Sequence, residues 1–265
     1  MAAVVFDGKE FAAQIQKEVE EKLAVINRSL GRKPKLVTIY NPDDPGSAIY
    51  TKMKSKKAAE LGVEFKEYFL HSTNDMEGLI SNLNKESDAD GIMIQTPLFG
   101  DRWRDTKLCL LIDPEKDVDG LNPRSQKLPA TVRGVYEILR RRVDHDLNMD
   151  LKYVIIGNMG RVGRWLERVL EVNHLVIGMD KYDFKTEPIS EADVVISCTG
   201  QTGLIKPEFV KEGVRAIDVG YPKGDFAPEV AQKAAFITPV PGGVGPVTVI
   251  MLYNNLADAI LERNR

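Results

Sequence analysis

Tyr50 and Lys54 stand four residues apart in SAIYTKMKSKKAAELG, a spacing that puts an aromatic ring and an ammonium on one face of a helix. Such a pair suits a flat heteroaromatic substrate, the ring stacking while the amine moves protons near the reacting carbon. An amine in a dry pocket, or beside a cationic substrate, holds its proton less tightly and becomes usable for acid–base work. The plainer reading is a solvated helix face, because Lys52, Lys56 and Lys57 crowd the same segment. Gln95 ends the apolar run GIMIQ, and α/β sheets bind ligands at the carboxyl ends of their strands. Its amide can donate to a substrate oxygen or hold the lysine; it can equally be a polar strand end before Pro97. Asp119 falls in DPEKDVDG with Asp113, Glu115 and Asp117. A carboxylate there can accept from an amidine-like edge with two N–H donors. The alternative is an acidic loop, although the spacing does not fit an EF-hand.

Two glycine-rich turns accompany these side chains. The first, TPVPGGVGPVT at residues 238–248, has three prolines and three glycines in eleven residues. It excludes a regular strand or helix and lets another group approach bare backbone at Pro241, Gly242 and Gly243. It runs into an apolar helical stretch, so it is either a ligand-lining loop at a helix N-terminus or a stiff linker. In the second, Gly157, Gly160 and Gly163 follow the strand-like KYVII and open a helix, leaving Asn158, Met159, Arg161 and Val162 between them. A strand, a glycine turn and a helix cradle a pyrophosphate, though GxxGxxG is not the standard spacing. Asp180 comes 23 residues after Gly157, where a carboxylate can bind an adenosine ribose and would repel a 2′-phosphate. Arg161, Arg164 and Lys181 are nearby cations that could serve such a phosphate, and Asp180 can also be read as a solvated loop acid.

The elements that must hold these residues alternate between helix and strand, predicting an α/β class with parallel sheets. Phe11, Ile15, Val19, Leu23 and Ile26 predict a helix over 8–30, and residues 46–62, 76–86, 132–142 and 247–263 are further helices. Strands are expected in KLVTIY, VEFKEYF, DGIMIQTP, KYVII, HLVIGMD, ADVVISCTG, RAIDVG and AAFITPV. The expected domains are 1–128, joined by the C-terminal helix 247–265, and 129–246. The net charge of −3 in 265 residues implies no nucleic-acid surface. Cys109 and Cys198 are too few for a disulfide framework, and with His71, His145 and His174 they lack metal-ligand spacing, so no metal is expected. With no leader-like start and no stretch expected to span a membrane, a cytoplasmic protein is predicted.

Taken together, FDGKEFA, SAIYTKMKSKKAAELG, GIMIQTPL, IDPEKDVDGLNP, ADVVISCTG, AIDVG and TPVPGGVGPVT resemble, in order and over nearly the whole chain, the bifunctional methylenetetrahydrofolate dehydrogenase/methenyltetrahydrofolate cyclohydrolase family. The resemblance implies two α/β domains with a cleft between them, the second Rossmann-like, and a homodimer. It implies that Lys54 is the central catalytic residue, that Gln95 positions it, that Tyr50 stacks on the folate and that Asp119 holds the pterin. Pro241, Gly242 and Gly243 would line the folate side. Residues 157–163, Asp180, Lys181, Thr199 and Gly200 would bind NAD or NADP. The family turn reads GRSxxVG, whereas Asn158 and Met159 replace its Arg and Ser here, and Asp180 stands near the position of a family Ser; both departures weaken the case for NADP, and Asp180 favours NAD. The altered turn leaves a cyclohydrolase with a decayed dehydrogenase half as an alternative, and a non-catalytic folate- or nucleotide-binding regulator as another.

Overall fold

The computed structural model describes residues 3–69, 76–98, 100, 102–144 and 150–264; His71, His145 and Arg265 lie outside them. The chain forms two compact units, Met1–Ala13 with Thr131–Thr248, and Gln14–Ala130 with Val249–Arg265. In chain order the elements are β1 (Val4–Val5), α1 (Gly8–Leu30), β2 (Lys35–Tyr40), α2 (Pro45–Leu61), β3 (Glu64–Phe69), α3 (Met76–Lys85), β4 (Gly91–Ile94), α4 (Arg102–Leu111) and α5 (Ala130–Ile138). They continue as β5 (Lys152–Ile156), α6 (Gly163–Leu170), β6 (Leu175–Met179), α7 (Thr186–Glu191), β7 (Val194–Ser197), β8 (Arg215–Asp218), β9 (Phe236–Ile237) and α8 (Val244–Arg263).

One unit holds a parallel three-stranded sheet ordered β3-β2-β4. Its central strand is apolar because both faces are covered, and Val37 and Ile39 pack with Ile80, Leu83, Ile92, Ile94 and Leu108 in one core. Helix α2 starts where Asp44 accepts the Ser47 N–H at 2.6 Å, with Pro45 in its first turn, and ends at Gly62 with φ 69°. Its buried residues are Ser47, Thr51, Lys54, Ala58 and Leu61, a three-and-four spacing that traces one inward stripe.

Helix α8 closes this unit. The Tyr253 hydroxyl donates to the Lys54 carbonyl at 2.5 Å, and Asn255 Nδ2 donates to the carbonyls of Val118 and Leu128 at 2.9 and 3.0 Å. By length and composition this 20-residue helix could cross a membrane, contrary to the expectation that no stretch could. It qualifies because it is a core element, with 72% of the apolar window buried inside the protein.

The other unit is a six-stranded sheet ordered β1-β9-β8-β7-β5-β6, with every pairing parallel. After β1 at one edge, the chain re-enters the sheet at β5, adds β6 on one side and then proceeds through β7 on the other. The strand order therefore reverses at the carboxyl ends of β5 and β7, the ligand-binding crevice of doubly wound sheets. Strands β5 and β7 are buried along Tyr153–Ile156 and Val194–Ser197, as parallel strands covered on both faces must be. The first thirteen residues, expected with the other domain, sit here because Val4 and Val5 pair with Phe236 and Ile237.

Candidate active site

Lys54 lies midway along the buried stripe of α2 and is 6% exposed, whereas Lys52 and Lys56 point to solvent. The helix period thus separates one lysine from its neighbours, and the solvated-face reading fails for Lys54 alone. Its Nζ donates to Gln95 Oε1 at 2.5 Å. Gln95 follows β4, its backbone N–H bonded to the Ile39 carbonyl at 2.8 Å, so the sheet fixes its position. Its Nε2 donates to the Thr96 carbonyl at 3.3 Å, which turns the amide oxygen toward the amine. Burial brings Lys54 down to about 8, with the negative charge of Asp119 opposing the shift. About a tenth of such a group is neutral at pH 7, against about one in three thousand for an ordinary lysine. The arrangement is a lysine that can both take and give a proton near neutrality.

Asp119 is half-buried in a loop held by its neighbours. Asp117 accepts the N–H groups of Gly120 at 3.0 Å and Asn122 at 2.8 Å, and Lys116 Nζ donates to the Asn84 and Glu86 carbonyls at 2.8 and 2.6 Å. Burial, with the charge of Asp119 adding to it, raises the Asp117 carboxyl to about 7 against these backbone donors. Of the acids in DPEKDVDG, then, Asp117 is spent on loop geometry. Tyr50, one turn before Lys54 on α2, is half-buried.

In the six-stranded unit Gly157 follows β5 with φ 89°, and a Cβ on it would lie 2.9 Å from the Cys198 carbonyl oxygen. A Cβ on Gly163 would meet the Gly157 carbonyl oxygen at 2.3 Å, and one on Gly160 the same oxygen at 2.9 Å. All three glycines are therefore required by a turn that closes tightly over the start of α6. Asn158 directs its amide to Glu167, 3.2 Å from each carboxylate oxygen, and Met159 is exposed. Arg161 and Val162 are half-buried, and Arg164 Nε donates to the Gly160 carbonyl at 3.3 Å. Asp180 follows β6 directly; its Oδ1 accepts the Lys181 N–H at 2.7 Å, and the Lys181 ammonium lies over the Tyr182 ring. Thr199 and Gly200 follow β7 on the other side of the switch point. Pro241, Gly242 and Gly243 belong to this unit, with Gly242 at φ 107° and its carbonyl accepting the Gly8 N–H at 3.0 Å. A glycine cradle at a strand-order reversal, with a carboxylate after the next strand, fits a dinucleotide.

A buried lysine of lowered pKa in one unit and a tight glycine turn at a strand-order reversal in the other fit the class of nucleotide-dependent α/β enzymes. Family models sharpen that class: residues 6–119 match the tetrahydrofolate dehydrogenase/cyclohydrolase catalytic domain, and residues 129–264 match its NAD(P)-binding domain. The chain belongs to this family and is a bifunctional dehydrogenase and cyclohydrolase of folate one-carbon metabolism. The bifunctional protein FolD of Streptococcus uberis is 33% identical over 98% of both chains. The crystal structure of FolD from Campylobacter jejuni superposes with a TM-score of 0.89 at 32% identity, covering 99% of this chain and 100% of that one. The Trypanosoma brucei enzyme, solved with NADP and an inhibitor, gives 0.88 at 31% identity, covering 100% and 99%.

Two functional groups escape a reading of the sequence. Tyr253, 199 residues from Lys54, holds the backbone beneath it, and no local signal announces that contact. Asp117 was visible as one acid among several, and only its burial separates it from Asp119.

Proposed function

We propose that one lysine serves both reactions of this enzyme, and the observation that carries the reading is the buried Lys54–Gln95 pair. When bound, the nicotinamide of NAD(P)+ accepts the hydride that leaves the methylene carbon of 5,10-methylenetetrahydrofolate. The methenyl carbon that results is positively charged, and a lysine that loses its proton readily does not oppose that charge. Water adds to this carbon as Lys54 Nζ takes its proton. The same ammonium then returns a proton to the ring nitrogen as its bond to this carbon breaks, and the remaining hydroxyl proton passes to solvent as the formyl C=O of 10-formyltetrahydrofolate forms. Gln95 fixes the amine, Asp119 accepts from the pterin edge, Tyr50 stacks, and Pro241, Gly242 and Gly243 line the folate side. Lys54→Met should abolish hydrolysis of methenyltetrahydrofolate while folate affinity stays within a few-fold of wild type; retained hydrolysis would defeat the assignment.

The cofactor we propose is NAD. Asp180 directly after β6 supports ribose binding, and its charge opposes a 2′-phosphate. Initial rates with NAD+ and NADP+ at equal concentration should favour NAD+, and Asp180→Ser should narrow the preference. A clear NADP+ preference would instead hand the site to Arg161, Arg164 or Lys181. We further propose a homodimer, since among the described residues no strand pairs with the outer edge of β3, and Phe69 at its end is 58% exposed. A cytoplasmic location fits the two free cysteines, Cys109 and Cys198.

A further inference from the structure

Asp225 lies in the connection between β8 and β9 and is wholly buried. One of its oxygens, Oδ2, gathers donors from a single short stretch of chain. Ser197 Oγ lies at 2.7 Å, the Thr199 backbone N–H and Oγ1 each at 2.8 Å, and the Gly200 N–H at 3.2 Å. That stretch leaves β7 at the switch point, and Gly200 takes φ 67° within it. It also abuts the glycine turn, since a Cβ on Gly157 would fall 3.3 Å from the Thr199 nitrogen.

Asp225 is itself held by a second buried carboxyl. Asp218, at the end of β8, accepts the N–H groups of Gly220 at 2.8 Å and of Asp225 and Phe226 at 3.1 Å each. Its own N–H donates to Thr238 Oγ1 at 2.7 Å, at the start of the proline–glycine loop. Gly220 makes this approach of two acids possible, because a Cβ there would lie 2.4 Å from Asp225 Oδ1 and 2.9 Å from Asp218 Oδ1. Among the described residues, Asp225 Oδ1 has no hydrogen-bond partner. A buried acid with one oxygen bonded to several donors and the other to none is costly as mere packing. Its donors all set one turn, and that turn faces the dinucleotide cradle.

We propose that Asp225 is a positioning residue for the dinucleotide, fixing Thr199 and Gly200 against the glycine turn without taking part in the chemistry at Lys54. The proposal rests on the reading that residues 157–163 with Thr199 and Gly200 hold the cofactor. It makes Asp225 a determinant of dinucleotide affinity, in a segment far along the chain from the glycine turn at residues 157–163. Because a single oxygen does the accepting, an amide should substitute for the acid: the asparagine oxygen can take the place of Oδ2 and its amine the place of Oδ1.

The test compares full-length wild type, Asp225→Ala, Asp225→Asn and Gly157→Ala. Calorimetry measures binding of whichever dinucleotide wild type reduces, and methenyltetrahydrofolate hydrolysis is followed without dinucleotide. Asp225→Ala should weaken binding tenfold or more and raise the dinucleotide KM accordingly, with hydrolysis within about twofold of wild type. Asp225→Asn should restore binding to within about threefold. Unchanged binding in Asp225→Ala alongside loss in Gly157→Ala would overturn the role of Asp225 and leave the cradle standing. Unchanged binding in both would overturn the cradle and the proposal together. Parallel loss of binding and hydrolysis in Asp225→Ala, or an Asp225→Asn protein as weak as the alanine variant, would reduce Asp225 to a folding residue and overturn the proposal.

Discussion

Burying Lys54 has opposite consequences for activity and for stability. Moving a lysine from 10.5 to about 8 costs about 3 kcal/mol in the charged state, which the bond to Gln95 offsets only in part. Below pH 8 folded and unfolded chains both carry the proton, and the whole cost is present. Between about 8 and 10.5 only the unfolded chain keeps it, so wild-type stability rises with pH, and above that range the cost is gone. Lys54→Met should therefore be more stable than wild type by about 1 kcal/mol at pH 7, with the advantage lost as pH rises above 8 and reversed at pH 10.5; urea midpoints at pH 7 and 10.5 check this. Activity should follow the complementary curve. Hydrolysis by wild type, corrected for the uncatalysed reaction, should rise with pH through an apparent value near 8 as the amine becomes free to take a proton from water. A flat profile from pH 6 to 9 would remove Lys54 as the base.

At the scale of elements, the sequence made legible whatever depends on local periodicity. The apolar spacing of α1 and the run KLVTIY announced themselves, and α2 placed Tyr50 and Lys54 one turn apart as expected. Helix α4 was invisible, because RWRDTKLCLL mixes charge with apolar residues and shows only a weak helical period. Strand β1 was equally silent, being two exposed valines that become a strand only through pairing with β9. The Lys116 contacts with Asn84 and Glu86, the Tyr253 contact and the hold of Asp225 on Ser197, Thr199 and Gly200 are tertiary, joining segments that share no periodic pattern. The sequence could also show that the glycine turn was crowded but not what crowded it. Gly91 illustrates the same limit: it starts β4, and a Cβ there would lie 2.6 Å from a Val118 methyl and 2.7 Å from a Leu256 methyl. Strand, acidic loop and α8 therefore meet at a point with no room for a methyl group. Gly91→Ala should cost about 1–3 kcal/mol, read from the urea midpoint, and should lower hydrolysis by moving Gln95 or Asp119. An alanine variant of wild-type stability would mean that the three elements shift freely.

For the whole molecule, the chain passes between its two compact units three times, each time inside a helix, although the passage after Ala130 separates only the first residue of α5. Helix α1 crosses after Ala13 and α8 after Thr248, so each unit contains turns of a helix that the other must complete. Helices are cooperative because each added residue gains a hydrogen bond that an isolated nucleus cannot. Unfolding either unit therefore leaves α1 and α8 cut short, with Tyr253, Asn255 and the α1 core residues Ile15, Val19 and Leu23 among the contacts at risk. The units should unfold as one. A ligand that binds only the native protein then stabilises both, by about 2.7 kcal/mol at a hundredfold excess over its dissociation constant. Amide exchange in β5 and β7 should slow by about a hundredfold when the dinucleotide is added. Strand β2, which belongs to the other unit and holds none of the proposed dinucleotide contacts, should slow by the same factor, because its amides exchange only through the shared opening. Slowing confined to β5 and β7 would show that the two units open independently and that the shared helices fray at the crossing points.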